Sequence, residues 1–197
     1  MAINLKKGQR ISLKKEAPGL TKVMCGLGWD VSESKGLFGL FKGNDFDLDA
    51  SVLCLTSRDK LKSKSDVIYF GNLNHSSGAI THLGDNLTGK GEGDDEQILV
   101  DLTNIPDDIF KLVFVVNIYK AKQRQQSFGQ VKNAFVRLVN LSNKQEIARY
   151  SLLGEEYDGK IGMILAEVYR DEGEWKMVAV GKGIMVDGLQ EMTNQFY

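Results

Sequence analysis

The residues with the clearest chemical potential are the carboxylates of one glycine-rich stretch, "GDNLTGKGEGDDE", at positions 84–96. Five carboxylates and four glycines share these thirteen positions, in a chain whose formal net charge is only -1. Oxygen ligands on a glycine-jointed backbone can wrap around a hard cation, with carbonyl groups assisting the carboxylates. The competing interpretation is a solvated acidic hairpin without a ligand.

A phosphate-binding loop is excluded for this stretch. Gly84, Gly89 and Lys90 fit the pattern G-x-x-x-x-G-K, but Gly91 stands where that loop requires Ser or Thr for magnesium. The carboxylates of the stretch would also repel the phosphate that the loop amides were meant to hold. The sequence therefore predicts no nucleotide loop here.

An EF-hand is excluded as well, although calcium remains the best-fitting ion. Counted from Asp85 as position 1, Glu96 falls at position 12, yet Leu87 and Gly89 occupy ligand positions and Lys90 replaces the turn glycine. Calcium accepts about 6–8 oxygen ligands in loose geometry, whereas magnesium requires a tight octahedron and retains its water. The loop chemistry thus favours calcium.

A second acidic stretch, "NDFDLDAS", strengthens the metal hypothesis. Asp45, Asp47 and Asp49 recur at every second residue, so an extended chain projects all three side chains to the same side. Such a row of carboxylates repels itself unless a bound dication removes the cost. The alternative is an edge strand that carries charge to prevent aggregation.

The elements around these stretches are predicted to be β-strands. Short runs rich in Val, Ile, Phe and Tyr are broken by Gly, Asn, Asp and Ser, and the run "LVFVVNIY" is apolar enough for a central strand. Helix is limited to one turn in "IPDDIF" and a C-terminal segment in "DGLQEMTNQF" that caps the core. We predict an all-β, two-sheet β-sandwich with strands at 22–29, 51–56, 67–72, 97–102, 111–119, 133–141, 146–151, 161–169 and 174–181.

Length and composition predict one domain over residues 1–197 and exclude some partners. The balance of 25 basic against 26 acidic residues provides no field that would attract nucleic acid or an anionic membrane. Neither a signal peptide nor a run of about 20 apolar residues is present, so we expect a cytoplasmic location without membrane insertion. Cys25 and Cys54 lie in apolar contexts that predict free core thiols.

Five motifs together resemble the TerD family of tellurium-resistance and stress-response proteins: "GLGWD", "FDLDAS", "GDNLTGKGEGDDE", "FGQVKNAFVRL" and "YRDEGEWKMVAVG". The resemblance covers essentially the whole chain. It implies a β-sandwich that binds about two calcium ions in acidic loops at one end. It also implies a set of ligands, namely Asp30, Asp47, Asp49, Asp85, Asn86, Asp94, Asp95 and Glu96, with carbonyl groups from Gly91 and Gly93.

The segment "SESKGLFGLFKGN" at 32–44 departs from the shortest members of that family. Its apolar residues lie between glycines, and they predict either packing onto the sandwich or an exposed contact patch. Asp45 follows this segment and lies outside the family motif. His75 and His82 carry no Cys/His pattern, which predicts surface or structural roles rather than zinc binding.

Two functions remain open from the sequence. The first is a calcium-binding stress protein that is not an enzyme and acts by associating with partner proteins, including a membrane-associated stress complex. The second is a calcium-dependent hydrolase or a carbohydrate- or nucleotide-binding sandwich. The first is favoured because the oxygen-rich residues all look like ligands, and no acid, base or nucleophile is left over.

Overall fold

The computed structural model describes residues 2–31, 46–84, 93–152 and 157–197, with only the backbone described for residues 30 and 31. Within these ranges the chain forms two six-stranded sheets. None of the helices in the described ranges is long and apolar enough to cross a bilayer.

The strands alternate with short turns along the chain, as the spacing of Gly, Asn, Asp and Ser predicts. In the part of the chain that the structure describes, helix is confined to short segments, which are α1 Leu13–Glu16, α2 Ala121–Arg124 and α3 Leu189–Asn194, with single 3-10 turns at Lys64–Asp66 and Phe128–Gln130. The strands are β1 Ile3–Asn4, β2 Arg10–Ser12, β3 Lys22–Val31, β4 Leu48–Leu55, β5 Val67–Ile68, β6 Ile80–His82, β7 Glu96–Asp101, β8 Lys111–Ile118, β9 Val131–Asn140, β10 Glu146–Ser151, β11 Gly162–Asp171 and β12 Glu174–Ile184.

The two sheets stack face to face. Sheet A has the strand order β1-β10-β9-β3-β7-β6, and sheet B has the order β2-β12-β11-β8-β4-β5. Their facing side chains form one continuous hydrophobic core that includes Leu27, Val52, Ile98 and Phe114. The predicted β-sandwich with little helix is thereby confirmed.

The outer face of sheet B is also buried over part of its area. Leu53, Leu55 and Val115 point away from the main core and form a second apolar cluster with Met192 of α3. The predicted C-terminal helix therefore exists, and it covers the back of sheet B rather than an end of the sandwich. Strand β8 is flanked by β11 and β4, which confirms that its apolar run is central.

Each predicted strand overlaps an observed one, but two details of the prediction were wrong. The strand predicted at 67–72 ends at Ile68, because Tyr69 and Asn72 hydrogen-bond to each other across a tight turn. The helical turn predicted in "IPDDIF" is a turn closed by the Ile109 amide donating to the Pro106 carbonyl at 3.0 Å. Cys25 and Cys54 are buried free thiols, as expected.

Candidate metal centre

One end of the sandwich collects the acidic residues. Strand β4 begins there, β7 begins there after the glycine-rich stretch, and β3 ends there. Register places Glu96 of β7 beside Leu27 of β3, and Asp49 of β4 beside Asn117 of β8. We call this region the acidic end.

Six of the ten predicted ligand residues are described in full. Asp85, Asn86 and Gly91 lie outside the described residues, as does the whole segment 32–44. For Asp30 only the backbone is described, and it pairs with Lys132 of β9. The site can therefore be built from Asp47, Asp49, Gly93, Asp94, Asp95 and Glu96.

Glu96 connects the two sheets at the acidic end. Its side chain follows the inward alternation of β7 and is only 2% exposed. Its Oε2 accepts a hydrogen bond from the Ala50 amide of β4 at 2.6 Å. The His82 Nε2 lies 3.7 Å from the same oxygen and 3.2 Å from the Ala50 carbonyl oxygen. Residue 96 is thus placed against the backbone that directly follows Asp49.

His82 is structural, in agreement with one of its two predicted roles. Its Nδ1 accepts a hydrogen bond from the Gly84 amide at 3.0 Å, so the ring proton is on Nε2 and faces the Ala50 carbonyl. The imidazole therefore fixes the first glycine of the acidic stretch to the core of the sandwich.

Asp49 lies on the outer face of sheet B, because Leu48 and Ala50 on either side of it point into the core. Its side chain is buried, with 7% exposed. Asn117 Nδ2 donates to Asp49 Oδ2 at 3.1 Å. Asn117 is only 4% exposed, and its Oδ1 has no hydrogen-bond partner in the part of the chain that the structure describes. The Oγ of Ser51, two residues farther along β4, is likewise buried without a described partner.

Asp47 lies just before β4 at the same end. Its carbonyl accepts a hydrogen bond from the Tyr119 amide at 2.8 Å, which fixes the backbone to the end of β8. Its carboxylate lies 3.7 Å from Arg124 Nη1, in the basic segment that follows β8. Arg124 and Lys120 both lie over the ring of Tyr119, at 5.3 and 4.9 Å from its centroid.

Asp95 is held by the end of β3. Its amide donates to the Leu27 carbonyl at 2.7 Å, and its Oδ2 accepts a hydrogen bond from the Trp29 amide at 2.8 Å. Trp29 itself belongs to the hydrophobic core. The pair of bonds fixes both the backbone and the carboxylate of Asp95 relative to sheet A.

Asp94 points in a different direction from its two neighbours. Its Oδ1 accepts a hydrogen bond from Arg137 Nε at 2.7 Å, and its Oδ2 accepts one from Arg137 Nη2 at 2.9 Å. Gln97 Nε2 donates to the same Oδ2 at 3.2 Å. The Asp94 side chain has 0% of its surface exposed. The structure thus places this carboxylate on the outer face of sheet A, clamped by β9 and β7.

The glycines of "GLGW" make room for this arrangement. Gly26 pairs with both Arg137 and Gln97, and a Cβ on it would lie 2.3 Å from Asp94 Cγ. A Cβ on Gly28 would lie 2.4 Å from the Phe135 ring and 2.8 Å from the Gly93 carbonyl oxygen. Any side chain at these two positions would therefore displace the segment that leads into β7.

A charged network continues from Asp94 across the outer face of sheet A. Arg137 Nη1 donates to Glu146 Oε2 at 3.1 Å, and Arg149 donates to both oxygens of Glu146 at 2.8 and 2.9 Å. Hydrogen bonds from Arg149 hold the pKa of Glu146 below its usual value, and hydrogen bonding to Asp94 raises the pKa of Arg137. We call Asp94, Arg137, Glu146 and Arg149 the outer-face network.

Of the predicted ligands described in full, Asp47 and Asp49 lie at or just before the start of β4, and Asp94, Asp95 and Glu96 lie at or just before the start of β7. Their side chains point in different directions: Glu96 points between the sheets, Asp49 lies on the outer face of sheet B, and Asp94 lies on the outer face of sheet A. Within the described ranges no three His, Cys, Asp or Glu side chains are grouped to hold a metal ion. The donor chemistry still fits calcium, because every one of these candidates presents oxygen and a buried amide oxygen stands beside Asp49.

Two residues that matter at this end, Arg137 and Asn117, were missed by the sequence reasoning. Arg137 lies within the quoted motif "FGQVKNAFVRL", and its alternation with Val136 and Leu138 signals an outward position on β9. Asn117 is a polar residue in the otherwise apolar run of β8, which is itself a signal of a polar site. A surface or structural role was predicted for His82, but its contacts with Ala50 and Glu96 follow from the pairing of the strands and not from a local pattern.

Comparison with known proteins gives consistent matches along the whole chain. The protein-family model for the TerD domain matches residues 1–196 of this chain. The chain is 48% identical over 200 aligned residues to the stress response protein SCP2 of Bacillus subtilis, covering 100% of both chains. It is 45% identical over 196 residues to the tellurium resistance protein TerD of Serratia marcescens, covering 100% of this chain and 97% of that protein.

Solved structures agree on the fold. The protein SAV2460, of unknown function, superposes with a TM-score of 0.68 at 23% identity, over 86% of this chain and 93% of its own. The TerD homologue SCO6318 of Streptomyces coelicolor superposes with a TM-score of 0.62 at 20% identity over the same shares of the two chains. At these identities the likeness concerns the fold alone.

Proposed function

Because this chain belongs to the TerD family, whose members include tellurium-resistance and stress-response proteins, we propose that it binds calcium at the acidic end and acts by calcium-dependent association with partner proteins. A bound calcium ion would supply positive charge that links the acidic stretches leading into β4 and β7. The protein's own contribution is to hold oxygen atoms in place and to exclude competing contacts.

One observation carries the calcium proposal, namely the surroundings of Asp49. Asp49 is only 7% exposed, and the hydrogen bond that it accepts from the uncharged Asn117 amide adds no positive charge beside the carboxylate. The buried Oδ1 of Asn117 lacks a hydrogen-bond partner among the described residues. An anionic oxygen beside a buried amide oxygen is a donor combination suited to a hard cation.

Two further candidate ligands accept hydrogen bonds from backbone amides, whereas the carboxylate of Asp47 lies 3.7 Å from Arg124 Nη1. Asp95 accepts from the Trp29 amide, and Glu96 accepts from the Ala50 amide. Backbone amides orient a carboxylate without cancelling its charge. We therefore propose Asp47, Asp49, Asp95 and Glu96 as ligands from the described part of the chain, joined by Asp30, Asp85, Asn86 and the carbonyls of Gly91 and Gly93.

We further propose that the protein is not an enzyme. The two histidines serve as structural links, because His82 joins Gly84 to Ala50 and His75 hydrogen-bonds Ser77 at 2.8 Å within a turn. Burial raises the pKa of the Cys25 and Cys54 thiols, which keeps them protonated and unreactive. These contacts favour association over catalysis.

Calorimetric titration of the chelator-treated protein tests the calcium proposal. Calcium should give a saturable isotherm, and magnesium at the same concentrations should give little heat, because it retains its water. A flat calcium isotherm would overturn the proposal. The hydrolase alternative is tested in parallel by a phosphodiesterase and esterase screen of the calcium-loaded protein. Turnover by the parent chain that is lost in Asp49→Asn would favour the hydrolase function over calcium-dependent association.

Association is tested by affinity enrichment from cells lysed in calcium or in chelator. The parent chain in calcium should retain a set of proteins that is absent with chelator and absent when Asp49→Asn is the bait. Identical sets under all three conditions would contradict calcium-dependent association.

A further inference from the structure

We infer that Asp94 is a positioning residue and does not itself bind the ion. Through its contact with Arg137 it holds the following residues, Asp95 and Glu96, in place on sheet A. This inference rests on the proposed calcium function and reassigns one residue of the predicted ligand set. We call the Asp94–Arg137 contact the latch.

Both carboxylate oxygens of Asp94 already accept hydrogen bonds within the latch. Two parallel hydrogen bonds of 2.7 and 2.9 Å join the Arg137 fork to both Asp94 oxygens, and Gln97 adds a third at 3.2 Å. Bidentate arginine–carboxylate pairs are among the strongest hydrogen-bonded contacts in proteins. With a guanidinium already placed on both oxygens, the local charge of Asp94 is cancelled, so it offers little attraction to a dication.

The position of Asp94 is also built into the sheet. The carboxylate occupies the space above Gly26, where a Cβ would lie 2.3 Å from Asp94 Cγ. Arg137 and Gln97 flank Gly26 in register on β9 and β7. Turning Asp94 toward the acidic end would abandon the three hydrogen bonds and leave Arg137 with Glu146 alone.

The latch can act on the ion site because the next two residues along the chain are themselves candidate ligands. These residues are Asp95 and Glu96, and their carboxylates reach Trp29 and Ala50, on opposite sheets. Fixing Asp94 fixes the start of β7 and reduces the conformational freedom that these two ligands would otherwise lose on binding. Such preorganisation raises affinity without any contact to the ligand.

The two possible roles of Asp94 predict opposite effects for Arg137. If Asp94 were a ligand, Arg137 would compete with calcium, and Arg137→Gln would strengthen binding. If the latch instead positions Asp95 and Glu96, Arg137→Gln weakens calcium binding, even though it makes the net charge of the protein more negative. We expect about a tenfold loss of calcium affinity, the scale typical of residues that orient metal ligands from outside the coordination sphere.

Calorimetric titration of Arg137→Gln, Asp94→Asn and the double variant is the experiment. Both single variants should weaken calcium binding, and the double variant should be no weaker than either, because the pair acts as one unit. Arg149→Gln is the matched control, since Arg149 lies in the same network, contacts Glu146 but not Asp94, and loses the same charge. It should retain the parent affinity. Tighter calcium binding by Arg137→Gln would overturn the latch.

A second variant and a metal-free readout guard against misfolding and keep the two proposals separable. Gly26→Ala should displace the Asp94 carboxylate without changing any charge, and it should weaken calcium binding as Arg137→Gln does. Hydrogen exchange at the Asp95 amide, which bonds to the Leu27 carbonyl, should be faster in Arg137→Gln than in the parent without metal. Unchanged exchange would overturn the latch, whereas a parent chain that binds no calcium would overturn the proposed function.

Discussion

The outer-face network and the acidic end differ in the partners of their carboxylates, although Asp94 of the network directly precedes Asp95 and Glu96 of the acidic end. On the outer face of sheet A, Asp94 and Glu146 are matched by Arg137 and Arg149 through charge-assisted hydrogen bonds. At the acidic end, the hydrogen bonds described for Asp49, Asp95 and Glu96 come from an amide side chain and backbone amides. The outer-face network has no net charge as a unit, whereas the uncharged donors named at the acidic end orient carboxylates without adding positive charge.

This difference separates structural charge from charge available to a ligand. A carboxylate paired with arginine stabilises the fold and gains little from an added cation. An uncharged donor orients a carboxylate without adding positive charge, which is why we propose carboxylates of the acidic end, and not Asp94, as calcium ligands. If Asp94 acts as we infer, the number of acidic residues in "GDDE" exceeds the number of calcium ligands that this stretch supplies.

The largest expected effect is the stabilisation of the acidic end by calcium. Metal that binds only the folded chain adds about 2.7 kcal/mol to the free energy of unfolding at one hundred times its dissociation constant. For a chain of this size that corresponds to a rise in melting temperature of roughly 5–10 °C. Thermal melts in chelator, calcium and magnesium measure it, and equal midpoints in all three would remove the distinction between the two regions.

The next largest effect concerns the outer-face network without metal. Arg137→Gln should lower the free energy of unfolding by about 2 kcal/mol, because it leaves the buried Asp94 carboxylate without its charged partner. Lys14→Gln, which breaks the exposed pair of Lys14 with Glu174, should lower the free energy of unfolding far less, because solvent screens that pair. Chemical denaturation in chelator compares them, and similar costs would show that the network is only a surface ion pair.

Asp49→Asn should have the opposite sign in the same metal-free experiment. Removing one charge from the acidic end relieves repulsion among carboxylates, so the free energy of unfolding should be unchanged or raised by up to about 1 kcal/mol. The hydrogen bond from Asn117 can be retained through the remaining amide oxygen. A clear loss of stability in chelator would indicate that Asp49 is a structural residue like Asp94.

The sequence predicted the strands whose pattern is local, and it missed short strands that depend on pairing with another part of the chain. The long strands follow from local alternation, as in β7, where Ile98 and Val100 point inward and Gln97 points outward. The edge strands β1, β2 and β6 escaped prediction because each has only two or three residues. β1 and β2 also pair with strands that are distant in sequence, namely β10 and β12.

The sequence predicted which residues the candidate site contains, but not the direction in which each side chain points. The acidic stretches and the residues of the TerD motifs indicated candidate ligands along the chain. The orientation of Asp94 depends on the register that sets Gly26 between Arg137 and Gln97, and no local pattern encodes that register. Neighbouring residues in "GDDE" consequently meet different partners.

The smallest expected effect is the pH dependence of the outer-face network. Hydrogen bonds from Arg149 and Arg137 lower the pKa of Glu146 in the folded chain below the unfolded value. Its stabilising contribution is therefore complete above the unfolded value and is lost as the pH falls through the folded pKa. Denaturation of the parent and of Glu146→Gln between about pH 6 and pH 3 should show their difference in stability shrinking on acidification, and a constant difference would contradict it.

The central claim, that the acidic end binds calcium through Asp49, is tested most directly by calcium titration of Asp49→Asn beside Asp171→Asn. Both variants lose one carboxylate charge, but Asp171 ends β11 at the far end of the sandwich, roughly 30 Å along the strand from the residue level with Asn117. Asp49→Asn should weaken calcium binding at least about tenfold, equivalent to about 1.4 kcal/mol. Asp171→Asn should bind like the parent, because salt screens charges at that distance. Equal affinities in the two variants would contradict the account.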